Sequence, residues 1–491
     1  MASYYFACNL PNNQKNMENM VTALDPSADF LNSKHADYQV EIRVKIDGKA
    51  VTCQCKIDGL KQAEIFFYDP ELTDPCYGLG EVERLQKEIV RRGIVELFSK
   101  IGRKKPPWGI LTGVRPSKIY HYLRDQGYNS GEIKQKLEKH YLLSPEKALL
   151  LTEVGEVQRP WLERTKNKLN IYIGIPFCPT KCFYCSFASY PLETHAHLLK
   201  GFLEALYFEI EEIGKAYQKT DYSLASIYIG GGTPTVLDHC QLKSLLAHIS
   251  QNLPVADLPE FTVEAGRPDT LDLEKLKILK NYGVTRVSVN PQTMNPRTLA
   301  KIGRKHTPSA IEETVKMVDQ VEIPCLNMDM IIGLPGEGVE DWENTLEKVL
   351  SFKPQNITIH TLAPKRAALW DFSQVENQVK EENVSRWLGQ VYSRLKTKEY
   401  YPYYLYRQRR IIAGQENIGY TLKGWEGIYN ILMMEERSTV LGLGGGGMTK
   451  WYDPLTLNVE RFPNPKCPAT YQGRIKELVE EKVNKLLRSV D

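Results

Sequence analysis

The chain has 491 residues, 42% of them apolar and 25% charged, which suits a globular protein of about three domains or one large barrel with additions. Lys and Arg total 63 against 60 Asp and Glu, a net charge of +3 that argues against a strongly basic nucleic-acid binder. No apolar run approaches the ~18 residues of a membrane span. Met1 to Leu10 lacks a basic stretch followed by an apolar one, so a cytoplasmic location is expected. Ten cysteines in so long a chain read as reduced thiols or metal ligands, not as a disulfide scaffold.

In chain order, Asp37–Ile46, Val51–Ile57 and Ala63–Tyr68 read as strands, with Asp47-Gly48 as a hairpin turn. Cys53 and Cys55 then share one strand face, where they pack. Helical patterns follow over Gly80–Ser99 and Ser130–Arg164, with a helix N-terminus expected after Pro116. From residue 170 short β-rich runs alternate with amphipathic stretches. The runs are Asn170–Pro176, Ala225–Gly230, Glu260–Ala265, Val284–Asn290, Cys325–Ile332 and Gln355–Leu362. Helices are expected over His197–Tyr217, His239–Gln251, Leu271–Tyr282, Pro308–Gln320 and Val339–Phe352, with Gly283 as a C-cap. Such alternation implies parallel pairing, in an open sheet or a complete or partial barrel. Beyond residue 362 the pattern turns mostly helical and aromatic, and the Gly-rich patch Gly442–Gly447 reads as a plain loop or, as the alternative, the lining of a second ligand site.

Directly after the first barrel-type run, Cys178, Cys182 and Cys185 stand at C-x3-C-x2-C. Thiolates at that spacing on one loop can converge on a metal centre. Zinc asks for a fourth ligand in a closed site, whereas a cubane held by three thiolates keeps one iron open. Gly230-Gly231-Gly232-Thr233-Pro234-Thr235 follows the second run, and such glycines let backbone approach a ligand. Glu264, Gln292, Asp329 and His360 fall within or just after the next four runs. In parallel α/β barrels ligands bind at the C-terminal strand ends, so these polar residues suit one shared site.

The cysteine triad, with an aromatic before its last member, resembles the radical S-adenosylmethionine (SAM) superfamily. The resemblance implies a [4Fe–4S] cluster on Cys178, Cys182 and Cys185, with SAM chelating the open iron and yielding a 5′-deoxyadenosyl radical. Tyr172 to Cys178, the Gly-Gly-Gly-Thr-Pro-Thr turn, Glu264, Gln292, Arg304 and Asp329 resemble the oxygen-independent coproporphyrinogen III oxidases over about 170–362. Thr262–Pro268, Val289–Met294, Tyr403–Gln408 and the added N-terminal region are similar to the HemZ branch, the coproporphyrinogen dehydrogenases.

The fold implied is α/β, a partial (β/α)6 barrel over 166–365, with an N-terminal α+β domain over 1–165 and a mostly helical, substrate-covering region over 366–491. By the same resemblance Tyr172, Gly231, Gly232, Thr233, Glu264, Gln292, Arg304 and Asp329 bind SAM. Glu264 takes the ribose hydroxyls and Arg304 the SAM carboxylate. Tyr404, Arg407, Asn417 and Tyr420 fall on the substrate side. The implied reaction turns propionates of coproporphyrinogen III into vinyl groups, with a flavodoxin- or ferredoxin-type electron donor.

Two positions depart from the relatives. Phe187 stands where the archetypal oxidase loop has a fourth cysteine, a pattern shared with haem-chaperone relatives. Glu416-Asn417-Ile418-Gly419-Tyr420 matches a haem-linked His-Asn-x-x-Tyr motif of those chaperones, with a carboxylate in place of the imidazole. A haem carrier and another radical SAM transformation of a tetrapyrrole, such as anaerobic haem breakdown, are the rival readings.

Overall fold

The computed structural model describes residues 2–10, 13–25, 27–31, 35–47, 50–59, 61–69, 79–363, 381–408 and 411–488. The chain divides into two compact units, Met1–Glu156 and Val157–Asp491.

In the first unit, β1 (Ser3–Cys8), α1 (Gln14–Leu24), β2 (Asp29–Phe30), β3 (Tyr38–Asp47), β4 (Ala50–Gly59) and β5 (Ala63–Asp69) precede α2 (Leu79–Lys100), α3 (Ser117–Asp125), α4 (Ser130–Lys139) and the start of α5 (Pro145–Arg164). The sheet order is β2-β1-β3-β4-β5. The three expected strands are present and α3 begins directly after Pro116, whereas β1 and α1 carried no sequence signal strong enough to be expected. Gly48 of the expected hairpin turn lies outside the described residues. Cys53 and Cys55 are fully buried with their sulfurs 3.4 Å apart, as packing side chains of one strand face. A groove of about 550 Å³ crosses this sheet beside Cys8, Asn9, Arg43 and Gln54.

The second unit is built on the expected rhythm. β6 (Lys168–Ile175) leads through the paired dipeptides β7 (Phe177–Cys178) and β8 (Tyr190–Pro191) to α6 (Leu192–His195) and α7 (Leu199–Tyr217). Then come β9 (Ser223–Gly231), α8 (His239–Asn252), β10 (Glu260–Glu264), α9 (Leu273–Asn281), β11 (Arg286–Ser288), α10 (Pro296–Lys301), α11 (Pro308–Val321), β12 (Cys325–Ile332), α12 (Val339–Ser351) and β13 (Asn356–Thr361). Local chemistry sets the helix ends. Asp238 accepts from Gln241 N at α8, Thr307 accepts from Ala310 N at α11 with Pro308 next, and Gly283 follows α9 at φ +79°. Ile311, Val315 and Val318 form the buried face of α11 at helical spacing.

β6, β9, β10, β11, β12 and β13 are neighbours in chain order and all parallel, a partial (β/α)6 barrel. The C-terminal region supplies α13 (Glu381–Thr397), β14 (Tyr401–Tyr406), β15 (Asn417–Thr421), α14 (Ile428–Glu435), β16 (Val440–Gly444), β17 (Met448–Tyr452), β18 (Val459–Pro463), α15 (Pro468–Gly473) and α16 (Ile475–Arg488). Its strands extend the same sheet at both edges. β15 pairs antiparallel with β13 and is followed outward by β14, while β16 lies parallel to β6 and leads to β17 and β18.

Gly442–Gly447 is therefore not the expected plain loop, because its first half is a seventh parallel strand. Glycine is required by close approach. A Cβ at Gly445 would stand 2.6 Å from the Pro176 ring, just ahead of the cysteine loop. A fully buried clasp fixes this turn. Lys482 Nζ donates to Glu209, Gly442 O and Asn464, while Glu209 accepts from Gly444 N at 2.7 Å and Tyr471 Oη at 2.6 Å. Every charge in it is paired and hydrogen-bonded, the condition under which burial of ions is tolerated.

Barrel strands are mostly buried on both faces, and away from the strand starts their half-buried side chains are Tyr172, Tyr228, Glu264, Asp329 and His360, with Tyr406 on β14. The contacts among them, described next, place these side chains around one lumen.

Candidate active site

The cysteine loop is stitched to the glycine turn after β9. Gly232 N donates to Ile175 O and Thr233 N to Phe177 O, both at 2.8 Å, and Tyr190 N donates to Pro176 O at 2.8 Å. Further along, Phe183 N reaches Ile302 O at the end of α10 and Cys185 N reaches Cys182 O, each at 3.1 Å. Gly232 must lack a side chain here: a Cβ would stand 2.4 Å from Phe177 O and 3.0 Å from Cys178 Sγ. The three cysteines are free thiols, each half-buried. Burial pushes the Cys178 thiol up and that of Cys185 to about 11, shifts that binding of iron to the thiolate would reverse.

Each sulfur environment differs. Thr233 Oγ1 donates to Cys178 Sγ at 3.5 Å, and Arg267 Nη1 donates to Cys182 Sγ at 3.7 Å. Among the described residues no three His, Cys, Asp or Glu side chains close on a single ion. A cubane takes each thiolate at a separate iron, so a spread triad of sulfurs with polar donors fits it.

Glu264 stands at the C-terminal end of β10. Its Oε1 accepts from Tyr228 Oη at 2.7 Å and its Oε2 from Gly231 N at 3.1 Å. Tyr228 stacks on Tyr429 of α14 at 4.4 Å, and both stack on Tyr172, forming an aromatic wall beside that carboxyl. Burial pushes Glu264 up to about 7; the charge of Asp329 adds to the rise, and the Tyr228 and Gly231 donors oppose it.

Asp329, on β12, is shifted the opposite way. Burial works against its charge, but His360 Nε2 at 3.5 Å, Asn327 Nδ2 at 2.9 Å and the Thr358 hydroxyl outweigh it and hold the carboxyl below its ordinary range. His360 Nδ1 meets Tyr406 Oη at 3.2 Å, so a polar chain runs from β12 through β13 to β14.

Gln292 follows β11 in the left-handed region at φ +64°. Its backbone bonds to Asp329 O and Ile331 N at 3.0 and 2.8 Å fix that turn against β12. Its Oε1 is buried with no protein partner, as is Oδ1 of Asn290. Orphaned amide oxygens are costly unless a ligand donor meets them, and the SAM ammonium or ribose hydroxyls are donors of that kind. Arg304 is buried, with Nη1 on Gly266 O at 3.0 Å and Asn290 O at 2.6 Å, Nη2 on Tyr184 Oη at 3.3 Å, and Nε unpartnered. The structure thus brings Tyr172, Gly231, Glu264 and Asp329 around one lumen, and joins Gly232 and Thr233 to the cysteine loop. Gln292 is tied to Asp329 through the backbone and Arg304 to that loop through Tyr184.

The four positions assigned to the substrate lie together on β14, β15 and the segment between them. Tyr404 is buried flat against Gly419, its hydroxyl 3.3 Å from Thr358 Oγ1. Asn417 is buried; its Oδ1 accepts from Thr361 N at 2.9 Å and its Nδ2 donates to Tyr406 O at 3.3 Å, so its amide joins three strands. Tyr420 is fully buried in β15. Arg407 donates to Gly414 O at 2.9 Å; burial pushes its guanidinium down to about 10 while the neighbouring Glu416 acts to raise it. Glu416 is itself 1% exposed. Arg409 and Arg410 lie outside the described residues.

Sequence reasoning missed Tyr228, Tyr429 and Arg267. For Tyr228 a signal existed: it sits within an apolar run directly opposite Tyr172 in register. Tyr429 reaches the site from a helix distant in sequence, and Arg267 contacts the loop only through the fold.

The radical SAM superfamily matches residues 172–349. The oxygen-independent coproporphyrinogen-III oxidase-like protein HemZ of Bacillus subtilis is 37% identical over 461 residues, covering 92% of this chain and 90% of that protein. The heme chaperone HemW of the same organism is 38% identical over 192 residues, 39% of this chain and 49% of HemW. Among solved structures, the radical SAM coproporphyrinogen III oxidase HemN of Escherichia coli shares the fold, with a TM-score of 0.50 and 19% identity over 66% of this chain and 73% of HemN.

Proposed function

The chain belongs to the radical SAM superfamily and, within it, to the family of HemZ, and on that premise we propose that it oxidatively decarboxylates propionate side chains of coproporphyrinogen III to vinyl groups, giving protoporphyrinogen IX. Superfamily members use a [4Fe–4S] cluster and SAM, which together supply a 5′-deoxyadenosyl radical. Cys178, Cys182 and Cys185 hold the cluster. Gly231, Gly232 and Thr233 present backbone and hydroxyl to the SAM methionine group, Glu264 accepts from the ribose hydroxyls, and Arg304 faces the SAM carboxylate. Gln292 and Asp329 complete the pocket. The Tyr172–Tyr228–Tyr429 wall excludes water from it, which limits quenching of a reactive intermediate.

In the substrate, hydrogen abstraction β to a propionate carboxylate leaves a carbon radical. Loss of CO2 and of one electron to an acceptor then yields the vinyl group. Arg407 supplies a cationic anchor suited to a propionate. A flavodoxin- or ferredoxin-type donor provides the reducing electron.

The observation that carries this reading over a haem carrier is the state of residue 416. A buried carboxylate beside Arg407 occupies the place of an iron-ligating imidazole. Anaerobic incubation with coproporphyrinogen III, SAM, a low-potential reductant and an electron acceptor tests it. The product mass should fall by one CO2 and two hydrogens for each converted propionate. Stoichiometric haem binding through an axial side chain, with no decarboxylated product, overturns it.

A further inference from the structure

We propose that Arg267 is a positioning residue that raises the reduction potential of the cluster by acting on Cys182, with Asp269 setting its orientation. Arg267 follows β10 in the turn Gly266-Arg267-Pro268 and is 2% exposed. One edge of its guanidinium is bidentate on Asp269, Nε to Oδ1 at 2.8 Å and Nη2 to Oδ2 at 2.7 Å. That pairing fixes the plane of the fork and leaves Nη1 aimed at the cysteine loop. There it donates to Thr180 Oγ1 at 3.2 Å and to Cys182 Sγ at 3.7 Å.

The three thiolates are therefore not equivalent. Cys178 receives a neutral hydroxyl, whereas Cys182 receives a charge-assisted donor, the stronger kind. A donor to sulfur withdraws electron density from the thiolate, and a nearby positive end stabilises an added electron. Hydrogen bonds to the sulfurs and local charge are both levers on cluster potential. Burial strengthens the effect because little solvent screens it. The Asp269 carboxylate is the opposing charge, so the pair acts on the sulfur as an oriented dipole. In the step affected, one electron passes from a low-potential one-electron donor to the cluster, taking it from its 2+ to its 1+ state. Arg267 keeps its proton throughout.

This inference rests on the cluster at the three cysteines and not on the identity of the substrate. The test is a mediated redox titration of the reconstituted protein, followed by the electron paramagnetic resonance signal of the reduced cluster, with neither SAM nor tetrapyrrole present. Arg267→Met should shift the midpoint to a more negative potential, Arg267→Lys should shift it less, and Asp269→Asn should shift it to a more positive one. Should Arg267→Met fail to retain the cluster, the upward shift in Asp269→Asn still carries the proposal. Unchanged midpoints, or shifts of the same sign in Arg267→Met and Asp269→Asn, overturn it, as does a lost cluster in the first with an unmoved potential in the second. Opposite shifts in a protein that leaves coproporphyrinogen unchanged would support this inference while sinking the substrate reading.

Discussion

Glu264 and Asp329 face the same lumen, yet their surroundings drive their carboxyls apart. Glu264 has one hydroxyl and one amide donor against the cost of its burial, and stands near 7. Asp329 has His360, Asn327 and Thr358 around it and stays ionised. Because the Glu264 carboxyl is protonated below about 7 and charged above it, its capacity to accept from ribose hydroxyls grows as pH rises. Equilibrium SAM binding at pH 6 and pH 8 should therefore show tighter binding at pH 8 in the wild type, and Glu264→Gln should abolish the difference. Equal affinities in the wild type would remove Glu264 from the ribose site. Asp329→Ala should keep the cluster and weaken SAM several-fold to tens of fold, since a lost polar contact costs about 0.5–1.5 kcal/mol or more with charge. At the metal, replacing any one of Cys178, Cys182 and Cys185 by Ala should abolish a content of about four irons per chain, as read by iron analysis after anaerobic reconstitution. The cysteines, Glu264 and Asp329 were legible in the sequence because they sit at fixed offsets from strand-like runs. Tyr228 was not, since a tyrosine inside Ile227-Tyr228-Ile229 looks like core. Arg267 was not, since its contact with Cys182 exists only once the β10 turn folds back on the loop.

At the scale of elements, the loop and the two glycine turns behave as one assembly. The turn after β9 supports Cys178 through backbone bonds, and Gly445 seats against Pro176 on the other side. Gly232→Ala would drive a methyl into Phe177 O, where rigid backbone cannot yield as a side chain would. The expected result is a protein with unchanged circular dichroism and reduced iron uptake; full iron content would show that the loop has slack. The Lys482–Glu209 clasp ties α16 and α7 to the second turn. Lys482→Met leaves a buried carboxylate unpaired, and should destabilise by about 3–5 kcal/mol, read as a lower urea midpoint. The barrel strands and five of the helices were legible to within about two residues at each end, because apolar runs and amphipathic stretches alternate there, whereas the short α10 was not expected. β16 was not, because glycine disfavours strands in general and is tolerated here only by the tight pairing of its neighbours.

At the scale of the molecule, the six parallel strands form the barrel, and C-terminal strands extend it on both edges. A composition rich in aromatic and charged residues gave no hint that residues beyond 400 would join the central sheet, because register with β13 and β6 is a tertiary fact. Among the described residues no helix is long and apolar enough to cross a membrane, in keeping with the expectation from the sequence. The proposed reaction requires that a radical drawn from SAM reach a propionate within the lumen. Its most direct test uses coproporphyrinogen III deuterated β to the carboxylates, with unlabelled SAM under anaerobic reducing conditions, and mass analysis of the 5′-deoxyadenosine formed. 5′-Deoxyadenosine production should rise on addition of the porphyrinogen, with one singly deuterated nucleoside formed for each propionate converted. Unlabelled 5′-deoxyadenosine, formed at the same rate with and without the porphyrinogen, would contradict it.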